Sequence, residues 1–443
     1  MQLLIKSAKV VDPASPYNGK TVSIFIEDGI IKKIGAPLRL APAGREKELK
    51  VLPEGEDLGG ASGLHVAPGF FDMQVNFRDP GHEYKEDLLS GCAAAAAGGF
   101  TGVAVMPGTH PPIHTKSEIE YVKNKTAGNL VDVFPVGAIT HNTDGKELSE
   151  MYDMHTAGAI AFSDYKKPIS DAGLLMRALL YAKNFKGLLM PFCDEKTISL
   201  NGHMNEGKVS ASLGLKGIPA LAEEVMVVRN LFLCEYTGGR IHFPSVSTKK
   251  SVELIREAKK LSKAKSASGG KGMIITASVN AYNLSLDDST LKDFDASYKV
   301  NPPLRTKEDM DALKKGLADG TIDAITSDHS PEDVENKNLE FDYASFGMIG
   351  LETCFALANT YSNLKLSDLV KKFSVNPRQI FGLPVPKIKE KEKANLTLFL
   401  PDKEWKLEEK SIRSKSKNTP FFGKKLKGKV IGVVNNGKAE IVI

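Results

Sequence analysis

One acidic residue directly follows the last apolar run in the middle of the chain, a position where reactive groups lie if that run is a strand of an α/β barrel. It is Asp328, in the segment Ser327-Asp328-His329-Ser330-Pro331, which follows the run DAIT. The sequence has no G-x-S-x-G elbow, no Walker loop and no G-x-G-x-x-G motif after a strand, so other common catalytic signatures are absent. Asp328 alone, without a metal or a nucleophile, is not a complete site.

Eight apolar runs of β type alternate with segments of helical pattern. The runs are GFFDMQVNF, GVAVMP, VDVFPVGAI, GAIAFSD, GLLMPFC, RIHFPSV, MIITASV and DAITSD. Runs that are apolar throughout are typical of parallel strands covered by helices. Eight strand–helix units predict an α/β fold, a (β/α)8 TIM barrel, in which reactive groups occupy the carboxyl ends of the strands.

Two further segments of this region carry local signals. The alanine run from Ala93 to Ala97 ends in Gly98-Gly99, which predicts a tightly packed helix with a glycine C-cap. The stretch from Ser262 to Gly272 is rich in Gly, Ser and Lys and predicts a mobile surface loop.

Both ends of the chain carry short alternating runs that predict β-hairpins. One turn falls at Asp28-Gly29 and the other at Asn436-Gly437, and both dipeptides are strong hairpin signals. We predict one small discontinuous β-sandwich domain, made of residues 1–62 and 383–443, with the barrel at residues 63–382 between its two parts.

The nine histidines do not form a metal-binding pattern. They are His65, His82, His110, His114, His141, His155, His203, His242 and His329. His110 and His141 follow predicted strands at the end of the barrel where Asp328 lies, but nothing in their spacing brings them together. His242 and His329 lie in or beside buried strands, and we expect both to be structural histidines with hydrogen-bonded rings.

Composition and charge argue against several classes of function. The 59 basic and 54 acidic residues are intermixed, with a net charge of +5. This pattern does not indicate a clustered basic surface for nucleic acid. No window approaches the ~20 apolar residues of a membrane span, and the first residues lack a signal-peptide pattern. The four cysteines lie far apart without C-x-x-C spacing, so neither a zinc knot nor a disulfide framework is indicated. We expect a soluble cytoplasmic protein that binds neither nucleic acid nor membranes.

Several motifs resemble dihydroorotases of the longer bacterial type. The opening of the barrel reads PGFFDMQVNFRDPG and AAAAGGFTGVAVMPGT, and later segments read NEGKVSASLGLKGIPALAEE, RIHFPSVSTKKSVELI and YKVNPPLRTKEDMDALKKGLADGTIDAITSDHSPE. The similarity runs through nearly the whole chain. It implies an amidohydrolase barrel which, in the family, binds zinc and hydrolyses a cyclic amide in pyrimidine biosynthesis.

The zinc-binding histidines of that family are replaced in this chain. Its H-x-H pair after strand one matches Gln74 and Asn76, the histidine of its H-C-E-D segment matches Phe192, and the second histidine of strand six matches Ser245. The strand-eight acid, which in the family is a metal ligand and the general base, is retained as Asp328. The resemblance therefore implies a degenerate metal site.

The bridging ligand of the family falls in the segment Phe162-Ser163-Asp164-Tyr165-Lys166. We match it with Tyr165. Asp164 is an alternative, and so is Lys166, because hydantoinases carry a carboxylated lysine in a similar place.

The substrate-binding positions implied by the resemblance are mixed. Arg78, which in the family pairs with the substrate carboxylate, is retained, and so is Asn301 of the NPPLR motif. The asparagine of the family's M-P-N-T motif is Gly108, and a histidine of its T-P-H-H segment falls in VNAY at 279–282. We interpret Arg78 and Asn301 as parts of a vestigial substrate site.

These replacements predict a protein without a zinc cofactor. Amide and hydroxyl oxygens are poor zinc ligands, and Phe192 has no lone pair to offer. Without the metal nothing lowers the pKa of water from 15.7 to about 7. We therefore expect a dihydroorotase-like pseudoenzyme linked to pyrimidine biosynthesis. An active dihydroorotase or other cyclic amidohydrolase with a rearranged metal site is the first alternative, and a small-molecule binding role for Arg78 and Asn301 is the second.

The resemblance also implies partners. Some bacteria carry inactive dihydroorotase homologues as structural subunits of an aspartate carbamoyltransferase assembly. A subunit with a purely structural role needs its packing and its surface but not its metal ligands, so the ligands can be replaced. We therefore expect self-association and consider aspartate carbamoyltransferase as the partner.

Overall fold

The computed structural model describes residues 1–35, 49–52, 63–269 and 272–442. Residues 36–48 and 53–62 of the predicted β-sandwich, and 270–271 of the predicted loop, lie outside the described residues. In chain order, the strands are β1 Gln2–Val10, β2 Thr21–Glu27, β3 Ile30–Gly35, β4 Leu49–Leu52, β5 His65–Pro68, β6 Phe70–Val75, β7 Phe100–Val105, β8 Asp132–Pro135, β9 Leu188–Leu189, β10 Met204–Asn205, β11 Gly217–Ile218, β12 Arg240–Phe243, β13 Ile274–Asn280, β14 Ala324–Thr326, β15 Leu396–Lys406, β16 Lys425–Asn435 and β17 Lys438–Ile441. The α-helices are α1 Leu88–Ala97, α2 Lys116–Lys125, α3 Met151–Ala157, α4 Ala172–Lys183, α5 Lys196–Ser199, α6 Lys208–Leu213, α7 Ala220–Thr237, α8 Lys249–Ala267, α9 Lys307–Asp319, α10 Val334–Lys337, α11 Leu351–Tyr361, α12 Leu366–Val370 and α13 Asn376–Phe381.

Parallel strands form the barrel wall. β6, β7 and β8 pair in parallel, and β9, β12, β13 and β14 form a second parallel group. Phe162 bridges Gly137 and Leu189, which joins the two groups, and Val75 bridges His329, which closes the ring. The predicted (β/α)8 barrel is therefore confirmed, although its fourth strand is reduced to one bridging residue.

The small domain is built from both ends of the chain. Its strands run in the order β17-β16-β15-β5-β1-β2-β3, with β4 also paired to β1. The two predicted hairpin turns are confirmed, because Asp28 and Gly29 have φ of 50° and 74° and Asn436 and Gly437 have φ of 51° and 70°. Two left-handed residues in a row are what a type I′ turn requires. The exact domain limits stay a prediction.

A cluster of phenylalanine rings joins the small domain to the barrel. The Phe70 ring of β6 lies 5.2 Å from that of Phe373 and 5.9 Å from that of Phe399 in β15. The Phe355 ring of α11 lies 4.8 Å from the Phe399 ring. Aromatic pairs at these distances add to the free energy gained by burying their area, so the small domain holds the end of the barrel at which β6 begins.

The helix predicted from the alanine run is confirmed as α1. The Asp87 side chain caps its N-terminus, Gly98 is its C-cap, and Gly99 follows with a φ of 90°. The predicted loop was wrong for Ser262 to Ala267, because α8 continues to Ala267. Lys and Ala are strong helix formers, and the Ser262 hydroxyl donates to the Met273 carbonyl at 2.8 Å. The polar composition of this stretch reflects an exposed helix face.

Two further features concern the surface and the cysteines. Over the described ranges, no helix is both long enough and apolar enough to cross a membrane.

All four cysteines are buried and unpaired. Burial raises the pKa of Cys92 and Cys234 to about 12, so their thiols stay protonated at neutral pH.

We predict that Gly91→Ala lowers the free energy of unfolding by about 1–3 kcal/mol. Gly91 lies in α1, and a Cβ there would come within 2.4 Å of the buried Phe77 ring. Gly173→Ala in α4 is the control, because its Cβ would meet only the flexible ends of Asp171 and Arg177. Urea unfolding of both variants checks the prediction, and equal stabilities would contradict it.

Candidate active site at the carboxyl end of the barrel

The carboxylate of Asp328, just after β14, is held by donors from three other strand ends. Its Oδ1 accepts a hydrogen bond of 2.7 Å from Gln74 Nε2. Its Oδ2 accepts from the Tyr282 hydroxyl at 2.6 Å and from Lys166 Nζ at 2.8 Å. Asp328 is 2% exposed. The carboxylate is therefore bound by donors on both oxygens, and one of these donors is a buried ammonium.

A polar network extends from Asp328 across the barrel. Gln74 Nε2 also donates to Ser245 Oγ at 3.0 Å, and Ser245 Oγ donates to Asn280 Oδ1 at 2.9 Å. Asn280 Nδ2 in turn donates to the Tyr282 hydroxyl at 2.9 Å. Sequence reasoning placed Gln74, Ser245 and Asp328 at the site but gave no role to Asn280 and Tyr282. Their position at the end of β13 is the signal that could have identified them.

Lys166 supplies the positive charge of the centre. Burial works against its charged form, but the Asp328 carboxylate outweighs burial and raises the pKa of Lys166. The ammonium therefore stays protonated at neutral pH and also lies 5.5 Å from the centre of the Tyr165 ring. Of the three residues considered for the bridging position, Lys166 is the one that contacts Asp328.

The two other members of that segment contact different groups. The Tyr165 hydroxyl is 2.8 Å from Ser330 Oγ. The Asp164 carboxylate accepts the backbone N–H groups of Ile139 at 2.8 Å and Thr140 at 3.0 Å. Burial raises the pKa of Asp164 to about 6. Neither residue contacts Asp328 through a hydrogen bond in the described structure.

The side chains at the centre do not fit a zinc ion. Gln74 and Ser245 present an amide and a hydroxyl that already bond each other, and Asp328 is paired with an ammonium. Across the residues whose positions are described, no three His, Cys, Asp or Glu side chains cluster as a metal site would require. Zinc prefers thiolate, imidazole and carboxylate ligands, and among the side chains that bond one another here only Asp328 is of that kind, paired with Lys166.

Phe192 fills the adjacent space. Its ring is 3% exposed and lines, with Ser245, Phe243 and Pro302, a cavity of about 10 Å³. Such a volume holds one water at most. A substrate ring has no room between these residues.

Arg78 is paired with a buried glutamate of the same chain. Arg78 Nη2 lies 2.6 Å from Glu332 Oε1, and Lys85 Nζ lies 2.6 Å from Glu332 Oε2. Arg78 Nε also donates to the Pro331 carbonyl at 2.9 Å. The residue that the resemblance matches with substrate binding is thus engaged within the protein.

Asn76 and Gly108, two positions at which the resemblance implied other residues, contact each other. Asn76 Nδ2 donates to the Gly108 carbonyl at 3.0 Å, and the Arg78 N–H donates to Asn76 Oδ1 at 2.9 Å. A Cβ at Gly108 would come within 2.4 Å of the Tyr165 ring and 2.6 Å of Asn76 Nδ2. The Tyr165 ring thus takes the space that a larger residue at position 108 would need.

The backbone of the site is strained. Arg78, Tyr165, Ser245 and Asp328 have φ of 61°, 57°, 53° and 48°. Left-handed conformations of residues other than glycine are uncommon, and strained backbone clusters at functional sites. Four strand-end residues of this site thus have an uncommon backbone conformation, and their side chains are hydrogen-bonded or ion-paired.

The histidines near the site have structural partners. His242 has Thr276 Oγ1 at 2.9 Å and Ser278 Oγ at 3.0 Å, and burial lowers its pKa to about 3. His329 Nδ1 accepts the Gly350 N–H at 3.2 Å, and its Nε2 lies 3.4 Å from Glu86 Oε2. The structural role expected for both is confirmed.

The remaining candidate residues have other neighbours than Asp328. His141 stacks on His114 with ring centres 4.6 Å apart, and His110 lies 6.2 Å from His82. Asn301 lines a separate polar cavity. No hydrogen bond links these residues to Asp328 in the described part of the chain.

Solved structures with the same architecture are hydantoinases. The fold superimposes on the L-hydantoinase (dihydropyrimidinase) from Arthrobacter aurescens with a TM-score of 0.78, 23% identity and coverage of 100% and 97% of the two chains. The D-hydantoinase (dihydropyrimidinase) from Thermus sp. gives a TM-score of 0.78 at 22% identity, with 99% and 95% covered. At this identity the likeness establishes the fold alone: a (β/α)8 barrel with a β-sandwich domain.

Sequence relatives define the family more narrowly. A dihydro-orotase-like family profile matches residues 63–251, and an amidohydrolase family profile matches residues 220–439. The dihydroorotase of Syntrophus aciditrophicus is 40% identical over 99% of both chains, and that of Pelotomaculum thermopropionicum is 43% identical over 97% and 96%. The chain therefore belongs to the dihydroorotase-like family of the amidohydrolase superfamily.

We predict that Lys166→Met destabilises the fold by about 3–5 kcal/mol, because it leaves the buried Asp328 carboxylate without its cation. Lys167→Met is the matched control: among the described residues Lys167 Nζ donates to the Thr143 hydroxyl at 3.0 Å, a contact worth about 1 kcal/mol, and its charge acts on Asp164 without a direct ion pair. Denaturant unfolding at neutral pH measures both losses. Similar values for the two variants would argue against a charge-paired centre.

We predict that His242 contributes to acid unfolding. Its folded pKa is about 3, below the ordinary 6.5, so the unfolded chain binds its proton first and stability falls as pH drops from about 6.5 towards 3. In His242→Gln, the unfolding free energy should fall less steeply as the pH drops. The difference in slope should be up to about 1.4 kcal/mol per pH unit, which corresponds to one proton. Unfolding free energies measured across this range test the effect. His155→Gln, at an exposed histidine, should leave the slope unchanged.

Proposed function

We propose that this protein is a dihydroorotase-like amidohydrolase that has lost its zinc centre and its hydrolytic activity. The observation that carries the proposal is the Lys166 ammonium, 2.8 Å from Asp328 Oδ2. The acid that would bind metal and act as base is thereby neutralised inside the protein. The barrel then serves as a scaffold for other interactions.

The loss of the zinc ligands matters because hydrolysis of a cyclic amide at neutral pH needs a metal ion. A metal-dependent amidohydrolase uses the ion to polarise the carbonyl and to lower the pKa of the attacking water to about 7. Here the side chains of Gln74, Ser245, Asn280 and Tyr282 bond one another and Asp328. Glu332 also competes with any substrate carboxylate for Arg78.

A role in pyrimidine biosynthesis as a partner of aspartate carbamoyltransferase is part of the same proposal. It rests on the resemblance to inactive dihydroorotase homologues that are structural subunits of such an assembly, and on relatives named dihydroorotase. Self-association and a cytoplasmic location belong with it. A scaffold role would require the packed barrel and its surface but not the metal centre.

The decisive experiment measures zinc and dihydroorotate hydrolysis on the same preparation. We expect far less than one zinc per chain and no turnover above that of Asp328→Asn, because Lys166 already engages that carboxylate. Since the variant leaves the buried Lys166 ammonium without its counterion, thermal unfolding is measured alongside and turnover is compared on folded protein. The dihydroorotase of Acetivibrio thermocellus, 40% identical, serves as the positive control in the same buffers. One tightly bound zinc per chain, or turnover abolished by Asp328→Asn, would instead support an active enzyme with a rearranged site.

The partner proposal has its own test. We expect aspartate carbamoyltransferase from the same cell to co-purify with this protein and to change in activity or assembly state when it is added. Sedimentation of each protein alone and of the mixture would reveal the complex. A lone monomer without effect on transcarbamoylase activity would contradict the partnership while leaving the zinc result untouched.

A further inference from the structure

The outward face of helix α7 is apolar from one end to the other. Five of its side chains follow one another at intervals of four, three, four and four residues, which places them in one stripe along a helix. They are Leu221, Val225, Val228, Phe232 and Tyr236. Val225 and Leu221 are 36% and 52% exposed, and Phe232 and Tyr236 are 67% and 77% exposed. A surface helix normally turns its apolar stripe towards the core and polar residues towards solvent, so this stripe is unusual.

The helices on either side of α7 also carry exposed leucines. α7 packs against both α4 and α8. Leu180 of α4 and Leu261 of α8 are 42% and 67% exposed. Phe232 and Tyr236 by themselves expose on the order of 250 Å², because a Phe or Tyr side chain has about 150–250 Å² to bury. Contiguous apolar patches of more than a few hundred Å² on a protein surface mark interaction sites.

The charged residues next to the stripe are already engaged within the chain. Glu235 at its edge lies 3.6 Å from Lys265 of α8. The Arg229 guanidinium donates to the carbonyls of Ser170 at 2.9 Å and Ile169 at 2.8 Å. The centre of the stripe is thus apolar and its edge is charged. Interfaces between proteins have this arrangement, with aromatic residues enriched and charges depleted at the centre.

The order of side-chain sizes along α7 favours a second copy of the same helix as the occupant. The aliphatic Leu221 and Val225 lie in its first half, and the aromatic Phe232 and Tyr236 lie in its second half. Let two copies pack antiparallel about a two-fold axis between residues 228 and 229. Phe232 then faces Val225 of the partner subunit, and Tyr236 faces Leu221 of the partner subunit. Each large side chain meets a smaller one, so the stripe is complementary to itself.

We propose that the α7 stripe is the centre of a two-fold homodimer interface in which α7 packs antiparallel against its own copy. Dimers of this symmetry are the commonest soluble oligomers, and both subunits use the same surface. A standard interface buries about 800 Å² of each partner. The two aromatic side chains supply roughly a third of that area, and the aliphatic residues of α7, α4 and α8 add to it. The inference rests on the self-association that is part of the proposed function, and it does not depend on whether hydrolysis is lost.

The first test compares two equally exposed tyrosines. Sedimentation of the full chain over a range of concentrations should show a dimer. Phe232→Ala should raise the dimer Kd by about 30-fold or more, as truncation of a central aromatic residue does, and Tyr236→Ala should also weaken the dimer. Tyr343→Ala is the control, because Tyr343 is likewise 77% exposed but lies outside α7, and its Kd should be unchanged. Thermal unfolding of each variant reports whether it folds.

The second test measures the register by cross-linking. In the proposed dimer the two copies of residue 228 lie next to the axis. Helices packed 8–10 Å apart, each with Cα atoms about 2.3 Å from its axis, bring facing Cα atoms to roughly 4–6 Å, which suits a disulfide. Val228→Cys should therefore form a covalent dimer on mild oxidation. The native cysteines do not interfere, because all four are buried.

A variant at the end of the stripe is the matched control. The two copies of residue 221 would lie roughly 22 Å apart along the helix, at 1.5 Å per residue, so Leu221→Cys alone should not cross-link. A mixture of Leu221→Cys and Tyr236→Cys chains should cross-link, because these positions face each other.

The outcomes separate this interface from the rest of the proposed function. A chain that is monomeric at every concentration would overturn both the interface and the proposed self-association. A dimer that is unaffected by Phe232→Ala, or that Leu221→Cys cross-links and Val228→Cys does not, would overturn the interface alone. Zinc content and turnover, measured separately, decide whether hydrolysis is lost.

Discussion

The ion pair between Lys166 and Asp328 is the interaction on which the arrangement of this barrel mouth depends. A buried carboxylate needs a countercharge and hydrogen-bond donors, because an unpaired charge in the interior is costly. In a metal enzyme the ion meets that need. Here the Lys166 ammonium, the Gln74 amide and the Tyr282 hydroxyl bind the carboxylate from three different strand ends. The countercharge of Asp328 is therefore a side chain of the protein and not a bound ion.

Other groups at the barrel mouth are also packed or paired within the chain. The Tyr165 ring fills the space beside Gly108, and Glu332 pairs with Arg78. Arg78, Tyr165, Ser245 and Asp328 have left-handed backbone conformations, which are uncommon for residues other than glycine. Hydrogen bonds and ion pairs of the same residues offset this conformational cost.

Much of this could be predicted from the sequence, and the remainder depends on geometry. The uniformly apolar runs were sufficient to predict the barrel. The Asp28-Gly29 and Asn436-Gly437 dipeptides predicted two hairpin turns, because such turns need left-handed residues. Gln74, Ser245 and Asp328 were placed correctly because strand ends converge in this fold. By contrast, the choice between Tyr165 and Lys166 depends on side-chain directions after a left-handed residue, which spacing does not encode. The contact of Glu332 with Arg78 joins loops that are distant in sequence. The α8 extension was missed because the Ser- and Lys-rich face of an exposed helix has the composition of a loop.

The discontinuous small domain has a consequence for synthesis. β5 lies between β1 and β15, and the Phe70 N–H bonds the Thr397 hydroxyl, 327 residues further along the chain. Domains generally fold as units while the ribosome adds residues in order. Until β15 emerges, β5 has one unpaired edge, which is a site for wrong pairing. The nascent chain must therefore carry an almost complete barrel beside an open sheet, and only its last segment closes that edge.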